Sequence, residues 1–175
     1  KGAADAEFLR RGVPVTFLRT SFYWDNLITF GMGPRRMSDG ALAITFPLGD
    51  AKLPGIAAQD IGACAYGVFR QGECAIGRTV SIAGEHLTGH EMAAALSRAL
   101  GEAVGYNAVS PAAYRTAGFP GADDLGNMFQ FKAEFQDVWC GPRSVEASRA
   151  LHPGLQSFDD WLARNADRIP VEVRV

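Results

Sequence analysis

The residues best suited to chemistry lie together in Arg19-Thr-Ser-Phe-Tyr-Trp-Asp-Asn26, where three aromatic rings mix with hydroxyl and amide groups. The run before them, Val13–Arg19, is short, apolar and rich in β-branched residues, and it predicts a buried strand. Open parallel α/β sheets present their ligands beyond the carboxyl ends of such strands. On that reading the stretch is a wall around a flat ring, belonging to a cofactor or a substrate. The structural alternative is an aromatic cluster at the edge of the core, with Asn26 capping a turn. The pattern alone supports both.

Other familiar constellations are missing. No G-x-G-x-x-G loop joins a strand to a helix, and the glycine pairs 31/33 and 118/121 lack the preceding apolar strand of a phosphate cradle. No G-x-S-x-G elbow is present. His86 and His90 are four apart, but Thr88 between them opens a helix, so they cannot share its face. His152-Pro153 reads as a solvated turn, Arg35-Arg36 as another, and Asp60 as a helix cap. Cys64, Cys74 and Cys140 lack C-x-x-C spacing and read as reduced thiols, with no metal site expected.

The elements that must hold these groups alternate. Residues 3–11 predict a helix closed by Gly12, and residues 31–40 a loop. Ala41–Pro47, Leu53–Ala58 and Thr79–Ala83 predict strands. A helix from Asp60 places Ile61, Cys64, Ala65, Val68 and Phe69 on one face, and Thr88-Gly-His-Glu91 has capping-box spacing ahead of Met92, Leu96 and Leu100. Ser110-Pro111 opens a short helix, and Ser157 caps a last one carrying Phe158, Trp161 and Leu162. A helix over 122–135 carries Leu125, Met128 and Phe129 on one face with Phe131 and Phe135 beyond it, as if covered on two sides.

With 175 residues, 47% of them apolar, the chain can bury a core, and its net charge of −2 without a basic block argues against nucleic acid. No apolar run is long enough for a membrane span, and a cytoplasmic location is expected. The first residue is Lys and the sequence opens inside a predicted helix, which suggests a piece of a longer protein.

Glu7-Phe-Leu-Arg-Arg-Gly-Val-Pro-Val-Thr-Phe-Leu-Arg19 with Phe22-Tyr-Trp-Asp-Asn-Leu27 resembles the strand-six passage of NmrA-like proteins, atypical members of the short-chain dehydrogenase/reductase superfamily. Ser110–Tyr114 through Gly118–Phe131 is similar to the NADPH-sensing branch typified by HSCARG, and Phe158-Asp-Asp-Trp-Leu162 to the family's closing helix. The resemblance implies an α/β fold: the C-terminal part of a Rossmann-like doubly wound parallel sheet plus a small, mostly helical substrate lobe. Residues 1–30 and 58–84 would be the C-terminal half of the NAD(P)-binding domain, and 31–57 and 85–175 the lobe closing over the cleft.

It also implies roles. Lys1 falls at the superfamily's active-site lysine, which touches the cofactor ribose and in reductases follows a tyrosine by four residues; that position lies before Lys1. With Lys1, the residues Thr20, Ser21, Phe22 and Tyr23 would meet the nicotinamide end of NADP(H). From the residues themselves, the loop's place at a strand end and the two-sided apolar pattern of 122–135 lead us to expect Phe22–Trp24 and Gly118–Phe131 to face each other across one substrate cleft, with Trp24, Asn26, Phe119, Met128 and Phe131 lining it. The intact protein is expected to bind NADP(H), and this chain alone to bind none tightly. Its function would be that of a redox-linked regulator or a weak NAD(P)H-dependent oxidoreductase, with a protein partner or homodimer possible. A protein-interaction module without cofactor is the alternative.

Overall fold

The computed structural model describes residues 2–171, with side chains from residue 4 onward. Lys1, the expected catalytic lysine, lies outside the described residues.

The chain opens with α1 (Gly2–Arg10), whose Glu7 pairs with Arg10 and Arg11 one turn on, and Gly12 at φ 63° ends it. The expected strand shortens to β1 (Phe17–Arg19), since Val13 and Pro14 are exposed and Pro14 has no N–H to donate. Then come β2 (Phe22–Tyr23), α2 (Asn26–Thr29), β3 (Arg35–Arg36), β4 (Leu42–Phe46) and β5 (Leu53–Ile56). Helix α3 (Ala58–Phe69) leads through a tight 3₁₀ turn to β6 (Thr79–Ser81), β7 (Glu85–Leu87), α4 (Gly89–Leu100) and β8 (Val104–Ala108). Five helices follow: α5 (Pro111–Arg115), α6 (Ala122–Glu134), α7 (Gln136–Cys140), α8 (Val145–Leu151) and α9 (Phe158–Asn165).

The strands form three small sheets. β1 runs parallel to β6, with Phe17 opposite Thr79 and Arg19 opposite Ser81. β2 runs parallel to β5, which takes β7 antiparallel on its other side. β4 lies between antiparallel β3 and parallel β8. The sheet β2-β5-β7 thus ties residues 22–23 and 53–56 together, across the two portions the sequence distinguishes.

Several expectations need correction. The segment expected to be loop over 31–40 contains β3, paired to β4. β7 and β8 had no alternating pattern to announce them; β8 reads Val-Gly-Tyr-Asn-Ala. Asp60 does not cap α3, whose N-cap is Ala57 and whose Ala58 N–H is taken by the Asp25 carboxylate at 2.7 Å. Asp60 is buried instead, accepting from the backbone and side-chain nitrogens of Gln156 at 2.9 and 3.0 Å. Phe69 is 82% exposed rather than on the buried face of α3.

The larger core centres on Trp24, packed against Phe158 and Trp161 at ring distances of 5.3 and 6.3 Å. A second, smaller core joins Ile56, Cys64, Ile82 and Leu155. Helices α3 and α8 cross at Gly67, where a Cβ would sit 2.4 Å from the Leu151 carbonyl oxygen. Backbone cannot yield as a flexible side chain can. Gly67→Ala should therefore lower stability by about 1–3 kcal/mol, read as a fall in thermal midpoint. An unchanged midpoint would show that the crossing has slack.

Candidate functional site at the carboxyl end of β1

At Thr20–Ser21 the chain leaves the β1-β6 pair and enters a different sheet through β2. Such a switch beyond the carboxyl end of a parallel strand opens a place for ligand. Thr20 and Tyr23 hold one another there through their hydroxyls at 3.0 Å, and Tyr23 is exposed. Ser21 and Phe22 turn inward. The Ser21 hydroxyl is buried without a hydrogen-bond partner among the described residues, and Phe22 meets Phe46 edge-on at 5.9 Å.

The far side of this loop is held by Arg143, with Lys132 behind it across the Trp139 ring. Arg143, 7% exposed, donates from Nε to the Thr20 carbonyl at 3.0 Å and from Nη1 to the Trp139 carbonyl at 2.7 Å. Its guanidinium lies 3.5 Å over the Trp139 ring. His86 Nε2 holds the Arg143 carbonyl at 2.8 Å, so β7 anchors the same loop. Lys132, 5% exposed, sits 4.8 Å from the Trp139 ring and 5.2 Å from that of Phe129. Burial, and then the charge on Arg143, brings the Lys132 ammonium down to about 8. The Trp139 indole N–H is buried without a partner among the described residues.

Contacts close into a circuit. Phe129 touches Phe46 at 5.5 Å, Phe46 touches Phe22, and Phe22 leads through Ser21 and Thr20 to Arg143, Trp139 and back to Lys132. The circuit thus holds an ammonium, a guanidinium, and two buried polar groups without partners among the described residues, Ser21 and Trp139. Burial raises the half-buried Cys140 thiol, and burial with the charge on Asp60 raises Cys64 to about 11, both of which disfavour the thiolate.

The nominated cleft residues are not brought to one surface. Trp24 is 1% exposed in the core, because its indole fills the space above Gly55 and Gly84. Asn26 starts α2, its carbonyl accepting from Phe30 and Met32. Met128 packs against the core, while Phe131 is 44% exposed and stacks on Phe135 at 5.2 Å. Phe119 lines a separate cavity beside Tyr114. The expected facing of the β1 loop and α6 occurs through buried Phe46 rather than across an open cleft. Sequence reasoning passed over Lys132, although it continues the Leu125 and Phe129 stripe of α6 at positions that are otherwise apolar. Arg143, in a Gly-Pro-Arg turn, offered no such signal.

Residues 8–162 match the family described as the NmrA-like family. The chain belongs to the NmrA-like family. Among solved structures it is similar to NmrA, a negative transcriptional regulator, at 22% identity and a TM-score of 0.72 over 93% of this chain and 56% of that one. NmrA has also been solved in complex with NAD and with NADP. An NADPH-dependent quinone oxidoreductase from Escherichia coli is similar at 19% identity and a TM-score of 0.73, covering 93% of this chain and 58% of that one. Triphenylmethane reductase from Citrobacter sp., in complex with NADP(H), is similar at 19% identity and a TM-score of 0.71, covering 94% and 57%. At these identities the likeness is one of fold. This NmrA-like chain spans just over half the length of the solved proteins it matches.

Proposed function

We propose that this chain is the C-terminal portion of an NAD(P)(H)-binding protein acting as a redox-linked regulator in the cytoplasm, with the phosphate-binding glycine loop on the preceding part of the polypeptide. The observation that carries this reading is the Thr20–Tyr23 loop, leaving a parallel strand at its carboxyl end and held by Arg143 through the Thr20 carbonyl. Family membership and relatives solved with NAD, NADP or NADP(H) support it.

Thr20 and Tyr23 would hold the nicotinamide end of the dinucleotide, and Arg143 would fix the loop through the Thr20 carbonyl. The cofactor supplies hydride when bound. Lys132 favours a second reading, a weak NAD(P)H-dependent oxidoreductase. An ammonium brought down to about 8 holds a transferable proton near neutral pH and stabilises negative charge developing close to it.

Calorimetric titration with NADPH tests the assignment. The 175-residue chain alone should bind no tighter than millimolar, since no strand-to-helix glycine loop is present to cradle phosphate. A protein carrying the nucleotide half should bind NADPH, with Tyr23→Ala weakening it several-fold. Micromolar binding by the short chain, or an inert Tyr23→Ala, would overturn the assignment.

A further inference from the structure

A second site lies apart from the β1 loop. Between the α2–β3 connection, one face of β4 and helices α5 and α6 is a cavity of about 430 Å³, a volume in the range of small-ligand pockets. Its walls are largely apolar, including Met32, Val109 and Leu125, with rings from Phe30, Tyr114 and Phe119. Among the described residues, Arg35 is the one charged residue on that wall. Arg35 donates to the Gly31 carbonyl at 3.1 Å and has no carboxylate partner among the described residues. Tyr114 is 8% exposed, and its hydroxyl makes no hydrogen bond among the described residues, although its ring is fixed edge-on against Phe119 and Phe129. The charge on Arg35 reaches that hydroxyl, opposing the upward push that burial gives its pKa.

We propose that this cavity binds an aromatic carboxylate, its ring among Phe30, Tyr114 and Phe119 and its carboxylate taken by Arg35 with the Tyr114 hydroxyl. A guanidinium is shaped for two parallel bonds to a carboxylate, and a phenol adds a third donor. An uncharged ligand would leave the guanidinium to solvent, and a free phosphate would leave the apolar walls uncovered. The cavity shares no wall residue with Thr20–Tyr23, Lys132 or Arg143, so the assignment is independent of nucleotide binding.

The probe is 2-naphthoate, titrated by calorimetry into the purified chain, with 2-naphthamide as its neutral counterpart and inorganic phosphate as the bare anion. Saturable one-to-one binding of 2-naphthoate is expected, at least ten-fold tighter than the amide and with no comparable phosphate binding. Arg35→Gln, at an exposed position, should weaken 2-naphthoate at least ten-fold, and Tyr114→Phe several-fold. Ala113→Leu should block the cavity, whereas Lys132→Met should leave affinity unchanged. Equal binding of acid and amide, no saturable binding, or affinity lost in Lys132→Met but kept in Arg35→Gln would overturn the proposal.

Discussion

Replacing Lys132 with methionine should stabilise the folded chain by about 1–3 kcal/mol at neutral pH. The reason is that Lys132 is 5% exposed, faces aromatic rings, and has a guanidinium rather than a carboxylate for its charged neighbour. Methionine keeps the length and apolar stem of the side chain while removing the buried charge. The pH dependence gives the decisive check. A lysine whose folded pKa falls to about 8 binds fewer protons folded than unfolded from there up to its free value, so stability rises with pH across that window. The advantage of Lys132→Met should accordingly be full below about pH 8 and fade toward the free-lysine pKa of about 10.4. Cys64 acts in the opposite direction, because its thiol is raised to about 11 and protects the fold less as pH climbs. The difference between wild type and variant cancels that contribution. Urea unfolding curves at several pH values supply the measurement, and a variant less stable than wild type at pH 7 would mean that the ammonium is well satisfied.

Trp24→Ala should cost about 3–5 kcal/mol and bring the thermal midpoint down sharply. Trp24 is 1% exposed, two aromatic neighbours bear on it, and Gly55 and Gly84 lie beneath it with no Cβ of their own. The cavity left behind would be bounded by β5 backbone, which has little freedom to collapse. Trp24→Phe should cost less and leave ligand binding at the β1 loop unaffected, as befits a residue in the core. A folded Trp24→Phe protein with large loss of NADPH affinity, in the form carrying the nucleotide half, would return Trp24 to the site.

Where the sequence carried strong local chemistry, it was readable. The Thr88–Glu91 capping box forms, with Thr88 Oγ1 accepting from the Glu91 N–H and Glu91 returning to the Thr88 N–H. Ser157 caps α9 in the same manner, through Asp160. The end of β1 at Arg19 was readable because an apolar run gives way there to polar and aromatic residues. Asp60 was misread because its type at a helix start is what a cap requires, and nothing local reveals a partner 96 residues away. β7 escaped notice because its ladder partner, rather than its own composition, makes it a strand. Trp139 and Arg143 are placed by what folds over them, and short-range pattern carries no record of that.

Helix α6 places Lys132 inside and its neighbour Phe131 outside, with Phe135 stacked on the latter. A helix is a stiff rod on this scale, advancing about 1.5 Å and turning about 100° per residue. Any slide or roll of α6 would carry Lys132 and Phe131 together, whereas Phe135, which ends the helix, is tied to it through its stacking on Phe131. The buried ammonium and the exposed ring thus share one stretch of backbone, so a substitution at either position is expected to be felt at the other.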